Sequence, residues 1–156
     1  MLEVAVITIS DRAYSGEYED RSGPIIMDLL EKSPLDVHVT RDVVPDDEKM
    51  IRTAILQHSD KDYILTTGGT GISPRDITPE VTEELCEKEL PGVSEMLRFE
   101  SFKETRFAAF SRGYCGIRGN TIMVNFPGSV KAVTLCTTLF IPLMEHGIQM
   151  LHGEKH

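Results

Sequence analysis

Short apolar runs rich in β-branched residues recur along the chain and restrict the folds open to it. The segments "EVAVITI" (3–9), "DYILTT" (62–67) and "TIMVNF" (121–126) are each too short for a helix and show almost no polar alternation. Such runs are typical of strands that are covered on both faces, as in the interior of a parallel sheet. Val37 and Val39, two residues apart in "DVHVTRDVV", indicate a further strand.

Helical patterns lie between these strands. Ser22 can cap one helix, and either Asp46 or Asp47 can cap a second. Thr78 can cap a third helix, with Pro79 at its first position. Two more helices are expected in "PGVSEMLRFES" (91–101) and over most of residues 130–151.

The order of the elements predicts the fold class. "RFAAFS" (106–111) is interpreted as another strand, and "RGYCGIRGN" (112–120) as the glycine-bearing turn that follows it. Alternation of strand and helix along the chain predicts an α/β fold, a three-layer α/β/α sandwich with a mainly parallel sheet. With 156 residues, 40 % of them hydrophobic, we expect one domain over residues 1–156.

The charge and the cysteines restrict the partners and the compartment. A net charge of −9 opposes nucleic acid, and an anionic ligand would need Mg²⁺ or a local pocket of N–H groups and arginines. No apolar run approaches the roughly 18 residues that span a bilayer, so we expect no membrane segment. Cys86, Cys115 and Cys136 are far apart and fit reduced thiols, which indicates a cytoplasmic protein.

Polar segments follow four of the predicted strands. In a parallel sheet, ligands bind beyond the carboxyl ends of the strands, where the connecting loops converge. We expect one rim to be formed by "SDR" (10–12), "PDDE" (45–48), "GGTG" (68–71) and "NFPGS" (125–129).

The glycine segment has two interpretations. Gly68, Gly69 and Gly71 allow close approach of the backbone, and their N–H groups can form an anion-binding nest to which Thr70 adds a hydroxyl. The segment lacks the lysine of a Walker A loop and the spacing of a dinucleotide-binding turn. It is either a phosphate-binding loop or a tight strand-to-helix turn.

Acidic and hydroxyl side chains next to these strands are candidates for ligand binding. Asp46 and Asp76 precede helices and can serve as helix-entry residues, but together on one rim they can hold Mg²⁺ and phosphate oxygens. Ser10 and Asp11 form either a capped turn or a site for ligand hydroxyl groups.

Two arginines and one helix start are candidates for binding an anion. Arg112 and Arg118 can neutralise phosphate or can be solvated surface residues. Pro127, Gly128 and Ser129 precede a helix whose N-terminus can receive an anion, with ordinary capping as the alternative.

Taken together, these segments resemble a known family. "ITISDRAYSGEYEDRSG", "VVPDDE", "ILTTGGTGISPRDITPE", "ELPG" and "GIRGNTIMVNFPGS", with their spacing, are similar to the molybdopterin adenylyltransferase family of MogA, MoaB and the G domains of gephyrin-like proteins. The resemblance covers nearly the whole chain. It implies a three-layer domain, usually a homotrimer, that binds molybdopterin and ATP, with Asp46 and Asp76 as the catalytic and Mg²⁺-binding residues.

The resemblance also implies a reaction, the transfer of AMP from Mg-ATP to the terminal phosphate of molybdopterin, with release of pyrophosphate. A molybdate-inserting protein is the partner that it suggests. Two alternatives stay open. One is a MoaB-like protein that binds or assembles molybdopterin without catalysis, and the other is a phosphate-binding domain that uses no nucleotide.

Overall fold

The computed structural model describes residues 1–154, so the last two residues of the expected domain lie outside the described part. Strands and helices alternate along most of the chain. The strands are β1 (Leu2–Ile9), β2 (Val37–Val44), β3 (Tyr63–Thr67), β4 (Lys88–Glu89), β5 (Cys115–Arg118) and β6 (Thr121–Phe126). The helices are α1 (Asp11–Ser15), α2 (Ser22–Lys32), α3 (Glu48–Gln57), α4 (Thr78–Leu85), α5 (Pro91–Glu104) and α6 (Val130–Leu151), with a 3₁₀ helix at Arg106–Phe110.

The strands form one sheet in the order β2-β1-β3-β6-β5-β4. The first four are parallel, whereas β5 runs antiparallel to both β6 and β4. The predicted α/β fold with a mainly parallel sheet is confirmed. α6 continues through Pro142, as expected for most of residues 130–151.

Two apolar cores cover the two faces of this sheet. In β1, Val4 and Val6 belong to one core, and Ala5 and Ile7 to the other, because successive side chains of a strand point to opposite faces. The first core includes residues of α2 and α6, and the second includes residues of α3 and α4. Helices therefore pack on both faces, which explains why the central strands contain so few polar residues.

The interpretation of "RFAAFS" as a strand was wrong. The segment forms the 3₁₀ helix, and Thr105 accepts a hydrogen bond from the N–H of Phe107 (3.4 Å) through its hydroxyl. Phe107 and Phe110 lie three residues apart and are 80 % and 58 % exposed, so neither is buried in a sheet. The phenylalanines at positions 99 and 102, in α5, are exposed as well.

The interpretation of "RGYCGIRGN" as only a turn was also incomplete, because it contains β5. Gly116 lies in this strand, where an added Cβ would be 2.6 Å from the ring of Tyr114 and 2.8 Å from the carbonyl oxygen of Lys88. A glycine here lets β4 pair closely with β5. Two-residue β4 was not predicted at all.

The strand register brings the four expected loops together at the carboxyl ends of the parallel strands. Ile9 pairs with Val44 at the ends of β1 and β2, and Thr67 pairs with Phe126 at the ends of β3 and β6. The connections that leave these ends lie side by side. Among the described residues, no helix is long and apolar enough to cross a membrane.

Candidate active site

A cavity of about 810 Å³ lies at the carboxyl ends of the four parallel strands. All four predicted loop segments contribute to it, with Ser10, Asp11, Asp46, Gly68, Gly69, Asp76 and Gly128 among the lining residues. The expectation that these loops share one rim is therefore met by the geometry.

The first two residues of the glycine segment must be glycine. Gly68 and Gly69 have positive φ angles of 100° and 69°, in the region that side chains disfavour. A Cβ on Gly68 would lie 2.2 Å from the carbonyl oxygen of Ile9, and one on Gly69 would lie 2.2 Å from Oγ1 of Thr78. The loop thus packs directly against the end of β1 and the start of α4.

Thr78 differs from its expected role as a helix cap. It lies inside α4, and its hydroxyl donates to the carbonyl oxygen of Gly68 (3.0 Å), so it fixes the glycine loop and leaves the helix end uncapped. Thr70, expected as a hydroxyl donor, is buried and lines a neighbouring cavity, and its carbonyl accepts from the N–H of Arg112 (2.8 Å).

Asp46 is free of the capping role because Asp47 performs it. Asp47 accepts from the N–H of Met50 (3.0 Å) at the start of α3. Asp46 instead faces β1: its Oδ2 accepts from the N–H of Asp11 (3.1 Å), and its own N–H donates to Oδ1 of Asp11 (2.9 Å). The structure therefore assigns the cap of α3 to Asp47, and Asp46 as a site residue stays a prediction.

The remaining oxygen of Asp46 has no partner among the described residues. Oδ1 is buried and lies 3.0 Å from the position that a Cβ on Gly69 would occupy. Burial raises the pKa of Asp46, an effect opposed by the N–H of Asp11 and reinforced by the charges of Asp11 and Asp76. A buried acceptor without a partner is costly in a folded protein, so this oxygen is a candidate ligand atom.

Asp76 closes the glycine loop and does not cap α4. Its Oδ2 accepts from the N–H of Ser73 (3.0 Å) and lies 2.8 Å from the position of a Cβ on Gly71. Glycine at position 71 therefore leaves room for the carboxylate. Asp46 and Asp76 both line the cavity, and the charge of Asp76 contributes to raising the pKa of Asp46. A ligand in the cavity can therefore contact both carboxylates.

Ser10 shows the capping role that was one of its two interpretations. Its hydroxyl accepts from the N–H of Ala13 (3.2 Å) at the start of α1 and lies 3.0 Å from the hydroxyl of Tyr18. Both side chains line the cavity, so the Ser10 hydroxyl is available at its wall.

Asp20 is a lining residue that sequence reasoning missed. Its side chain is only 8 % exposed, accepts from the hydroxyl of Thr8 (2.8 Å) and from the N–H of Gly23 (3.2 Å), and lies 3.6 Å from Arg41. Ser22 lies inside α2 and is not its cap, and Asp20 accepts from an N–H of the first turn of this helix. An acidic residue three positions before a Gly-Pro pair was the available signal.

Arg112 lies at the glycine loop but does not face the cavity as an open cation. Nε donates to the carbonyl oxygen of Gly71 (2.7 Å), Nη2 to that of Asp76 (2.7 Å), and Nη1 to both carboxylate oxygens of Glu80. Its guanidinium therefore fixes the backbone of the glycine loop and is not among the residues that line the cavity. These contacts give Arg112 a structural role at the loop, and its contact with phosphate stays a prediction.

Arg118 is not at this site. It pairs with Thr121, the first residue of β6, and so lies at the end of this strand that is far from the cavity. Its Nη1 donates to the carbonyl oxygen of Leu85 (3.1 Å). The assignment of Arg118 to ligand binding was wrong because the segment around it is a strand that carries it away from the rim.

The segment before α6 packs against the glycine loop. The carbonyl oxygen of Pro127 accepts from the hydroxyl of Thr67 (2.7 Å), and a Cβ on Gly128 would lie 3.3 Å from Cα of Gly68. Ser129 accepts from the N–H of Ala132 (3.2 Å), which is ordinary capping. The start of α6 is therefore beside the loop, and its first N–H groups are partly used by Ser129.

A second cavity of about 510 Å³ lies on the other side of this loop. It shares Gly68, Gly69, Asp76 and Gly128 with the first cavity. Its other walls are more apolar and include Leu97, Phe107 and Phe110. Two ligands of different chemistry can therefore approach the same glycine loop.

The residues present fit Mg²⁺ in the way that phosphate-handling sites usually hold it. Asp46 supplies a buried oxygen without a partner, and Asp76 a second carboxylate on the same cavity. Within residues 1–154, no group of three or more His, Cys, Asp or Glu is arranged to hold a metal. Mg²⁺ is commonly bound by one or two carboxylates with water and substrate phosphates, so a closed protein cage is not required.

The fold and the site define an α/β ligand-binding domain in which a glycine loop and carboxylates meet at the carboxyl edge of a mainly parallel sheet. The chain belongs to the molybdopterin-binding family of molybdenum cofactor biosynthesis, since the family model described as "Probable molybdopterin binding domain" matches residues 5–146. The predicted family is confirmed.

Relatives and solved structures agree with this family. A molybdopterin adenylyltransferase of Helicobacter pylori is 35 % identical over 158 residues, which cover 97 % of this chain and 89 % of the relative. The molybdenum cofactor synthesis protein cinnamon of Drosophila melanogaster is 42 % identical over 94 % of this chain, but the chain spans only 25 % of its length. The molybdopterin biosynthesis enzyme MoaB of Thermus thermophilus superposes with a TM-score of 0.89 at 37 % identity, covering 99 % and 98 % of the two chains.

Proposed function

We propose that this protein is a molybdopterin adenylyltransferase, which transfers AMP from Mg-ATP to the terminal phosphate of molybdopterin. The observation that carries the proposal is the convergence of Asp46, Asp76 and the glycine loop on one cavity. Similarity to an enzyme named molybdopterin adenylyltransferase over 97 % of the chain supports it.

The reaction needs positioning and charge neutralisation more than a covalent nucleophile. A terminal phosphate oxygen of molybdopterin forms a bond to the α-phosphorus of ATP, and the bond from that phosphorus to the bridging oxygen breaks, so pyrophosphate leaves with the electron pair. When bound, Mg²⁺ would offset the charge of the phosphates. Asp46 and Asp76 would hold it, and the N–H groups of residues 68–71 would orient the phosphates.

The two cavities support a reaction of two substrates. They meet at Gly68, Gly69 and Asp76, so ligands that enter from both sides reach the same loop. Ser10 and Asp11 lie in the polar cavity, where they can meet hydroxyl groups. Pro127, Gly128 and Ser129, which directly precede α6, also line the second cavity.

The decisive experiment is pyrophosphate release from Mg-ATP with and without molybdopterin. We expect release that depends on molybdopterin. Asp46→Asn and Asp76→Asn should each remove most of it, and Asp28→Asn, an exposed aspartate on α2 that pairs with Lys32, is the matched control. Binding of molybdopterin without release would support the MoaB-like alternative, and turnover unchanged in both site variants would contradict the roles assigned.

We also propose a cytoplasmic homotrimer that passes its product to a molybdate-inserting protein. The family resemblance supports the trimer, and the exposed Phe99 and Phe102, which line neither cavity, offer apolar surface for contacts between subunits. The three free cysteines fit a reducing compartment. Sedimentation at three times the 17.4 kDa mass of one chain is expected, and sedimentation at 17.4 kDa would contradict the trimer.

A further inference from the structure

Arg75 lies between the glycine segment and Asp76, and the proposed reaction so far gives it no role. Its Nε donates to Oδ2 of Asp11 (3.0 Å), and its Nη2 donates to Oδ1 of the same carboxylate (2.8 Å). The two side chains are 64 % and 42 % exposed. An ion pair this exposed contributes little to stability, so it can be exchanged at low cost.

The cavity has an excess of negative charge that a phosphate ligand must overcome. Its lining includes five carboxylates and three guanidinium groups, those of Asp11, Glu19, Asp20, Asp46, Asp76, Arg12, Arg21 and Arg75. A magnesium ion would offset part of the excess. An arginine that can turn towards the ligand would offset more, because its planar fork matches two phosphate oxygens.

Arg75 is the best placed of the arginines that line this cavity. It belongs to the same loop as Asp76, whereas Arg12 lies over the ring of Tyr18, 5.2 Å from its centroid. Arg21 is at the start of α2. Arg112 contacts the loop but is held there by Gly71, Asp76 and Glu80.

We propose that Arg75 exchanges the carboxylate of Asp11 for the diphosphate part of the ligand, as ATP enters or pyrophosphate forms. This inference rests on the proposed function. The exchange replaces one bidentate acceptor by another, so the guanidinium stays paired. After the exchange, the Asp11 carboxylate still accepts the hydrogen bond from the N–H of Asp46, and water can solvate the rest of it. The hydrogen-bonded link between the two loops is therefore retained.

The first test measures the binding of magnesium pyrophosphate and of Mg-ATP to the full chain by calorimetry at constant ionic strength. Arg75→Gln should weaken both by about tenfold or more, and Arg75→Lys should lie between it and the wild type because lysine cannot form the fork. Arg52→Gln is the matched control, since Arg52 also pairs with carboxylates, those of Glu48 and Glu84, but does not line the cavity.

The second test separates exchange from simple positioning of Asp11. Asp11→Asn releases Arg75 in advance and should tighten the binding of magnesium pyrophosphate severalfold. Removal of a negative charge has a general effect too, so the same substitution is made in the Arg75→Gln background. Exchange predicts that most of the gain disappears there.

The outcomes distinguish the two proposals. Wild-type protein that binds neither magnesium pyrophosphate nor Mg-ATP would overturn both the proposed function and the exchange. Wild-type binding with no loss in Arg75→Gln, or with the loss in Arg12→Gln or Arg21→Gln instead, would overturn the exchange alone. Asp11→Asn weakening pyrophosphate as much as Arg75→Gln would show that Arg75 only positions Asp11.

Discussion

Asp11 and Asp46 exchange two hydrogen bonds in which each backbone N–H donates to the carboxylate of the other residue, at 3.1 and 2.9 Å. The pair joins the loop after β1 to the loop after β2. Asp11 uses both carboxylate oxygens, since Arg75 contacts each of them, whereas Asp46 leaves Oδ1 buried and without a partner among the described residues. The asymmetry leaves Asp46 as the carboxylate with an oxygen to offer a ligand.

Replacement of Asp46 should separate stability from activity. Burial raises the pKa of Asp46, so the folded state disfavours its charged form at neutral pH. Asp46→Asn removes that penalty and should raise the free energy of unfolding at pH 7, while turnover falls by about a hundredfold or more.

The pH dependence of that gain follows from the sign of the shift. Below the ordinary value of 3.8, Asp46 is protonated in both the folded and the unfolded state, and its penalty is absent. The penalty develops as the pH rises from there through the higher pKa of the folded state. Denaturant melts of the wild type and Asp46→Asn should therefore converge as the pH falls. A gap that widens on acidification would contradict this assignment.

The pKa of Asp46 should respond to Asp76. The charge of Asp76 contributes to raising it, behind burial and the charge of Asp11. Asp76→Asn should lower the pKa of Asp46, measured by a ¹³C NMR titration of its carboxyl group. Asp28→Asn, far along α2, should leave that titration unchanged. An unchanged titration in Asp76→Asn would mean that the two aspartates do not share the cavity electrostatically.

Arg112 should be needed for the shape of the glycine loop. Its guanidinium contacts the carbonyl oxygens of Gly71 and Asp76 and the carboxylate of Glu80, and a lysine can reach only some of these. Arg112→Lys and Arg112→Gln should each lower the free energy of unfolding by roughly 2 kcal/mol, with faster hydrogen exchange in residues 68–76. Arg52→Gln, a surface arginine with carboxylate partners, should change neither quantity appreciably. Wild-type exchange in Arg112→Gln would refute a loop-holding role.

Most of the sheet could be predicted because its signal is local. β1, β3 and β6 are buried on both faces and read as continuous apolar runs. The 3₁₀ helix and β5 could not be predicted in the same way, because the residues of the first are typical of a buried strand and those of the second are typical of a turn. Phe107 and Phe110 are aromatic yet exposed, and Gly116 lies inside a strand.

The loops that line the cavity could be predicted where glycine and aspartate follow a buried strand, whereas contacts between residues distant in sequence could not. Gly68 and Asp46 lie at strand ends, which a linear pattern can locate. Arg112 holds the loop through carbonyl oxygens that are 36 and 41 residues away in sequence. No local pattern therefore distinguishes this arginine from one that binds phosphate. Arg75 was overlooked for the same reason, since its partner Asp11 is 64 residues away.

Gly68 should tolerate no side chain, and Gly16 provides the matched control. Both have positive φ, 100° and 82°, but a Cβ on Gly68 would lie 2.2 Å from the carbonyl oxygen of Ile9, whereas one on Gly16 meets nothing within 4 Å. Gly16→Ala should cost only the backbone strain, about 1 kcal/mol. Gly68→Ala should cost about 3 kcal/mol or more and abolish Mg-ATP binding, because the loop must move away from β1. Equal losses in thermal melts of the two variants would show that the close contact with Ile9 does not fix the loop.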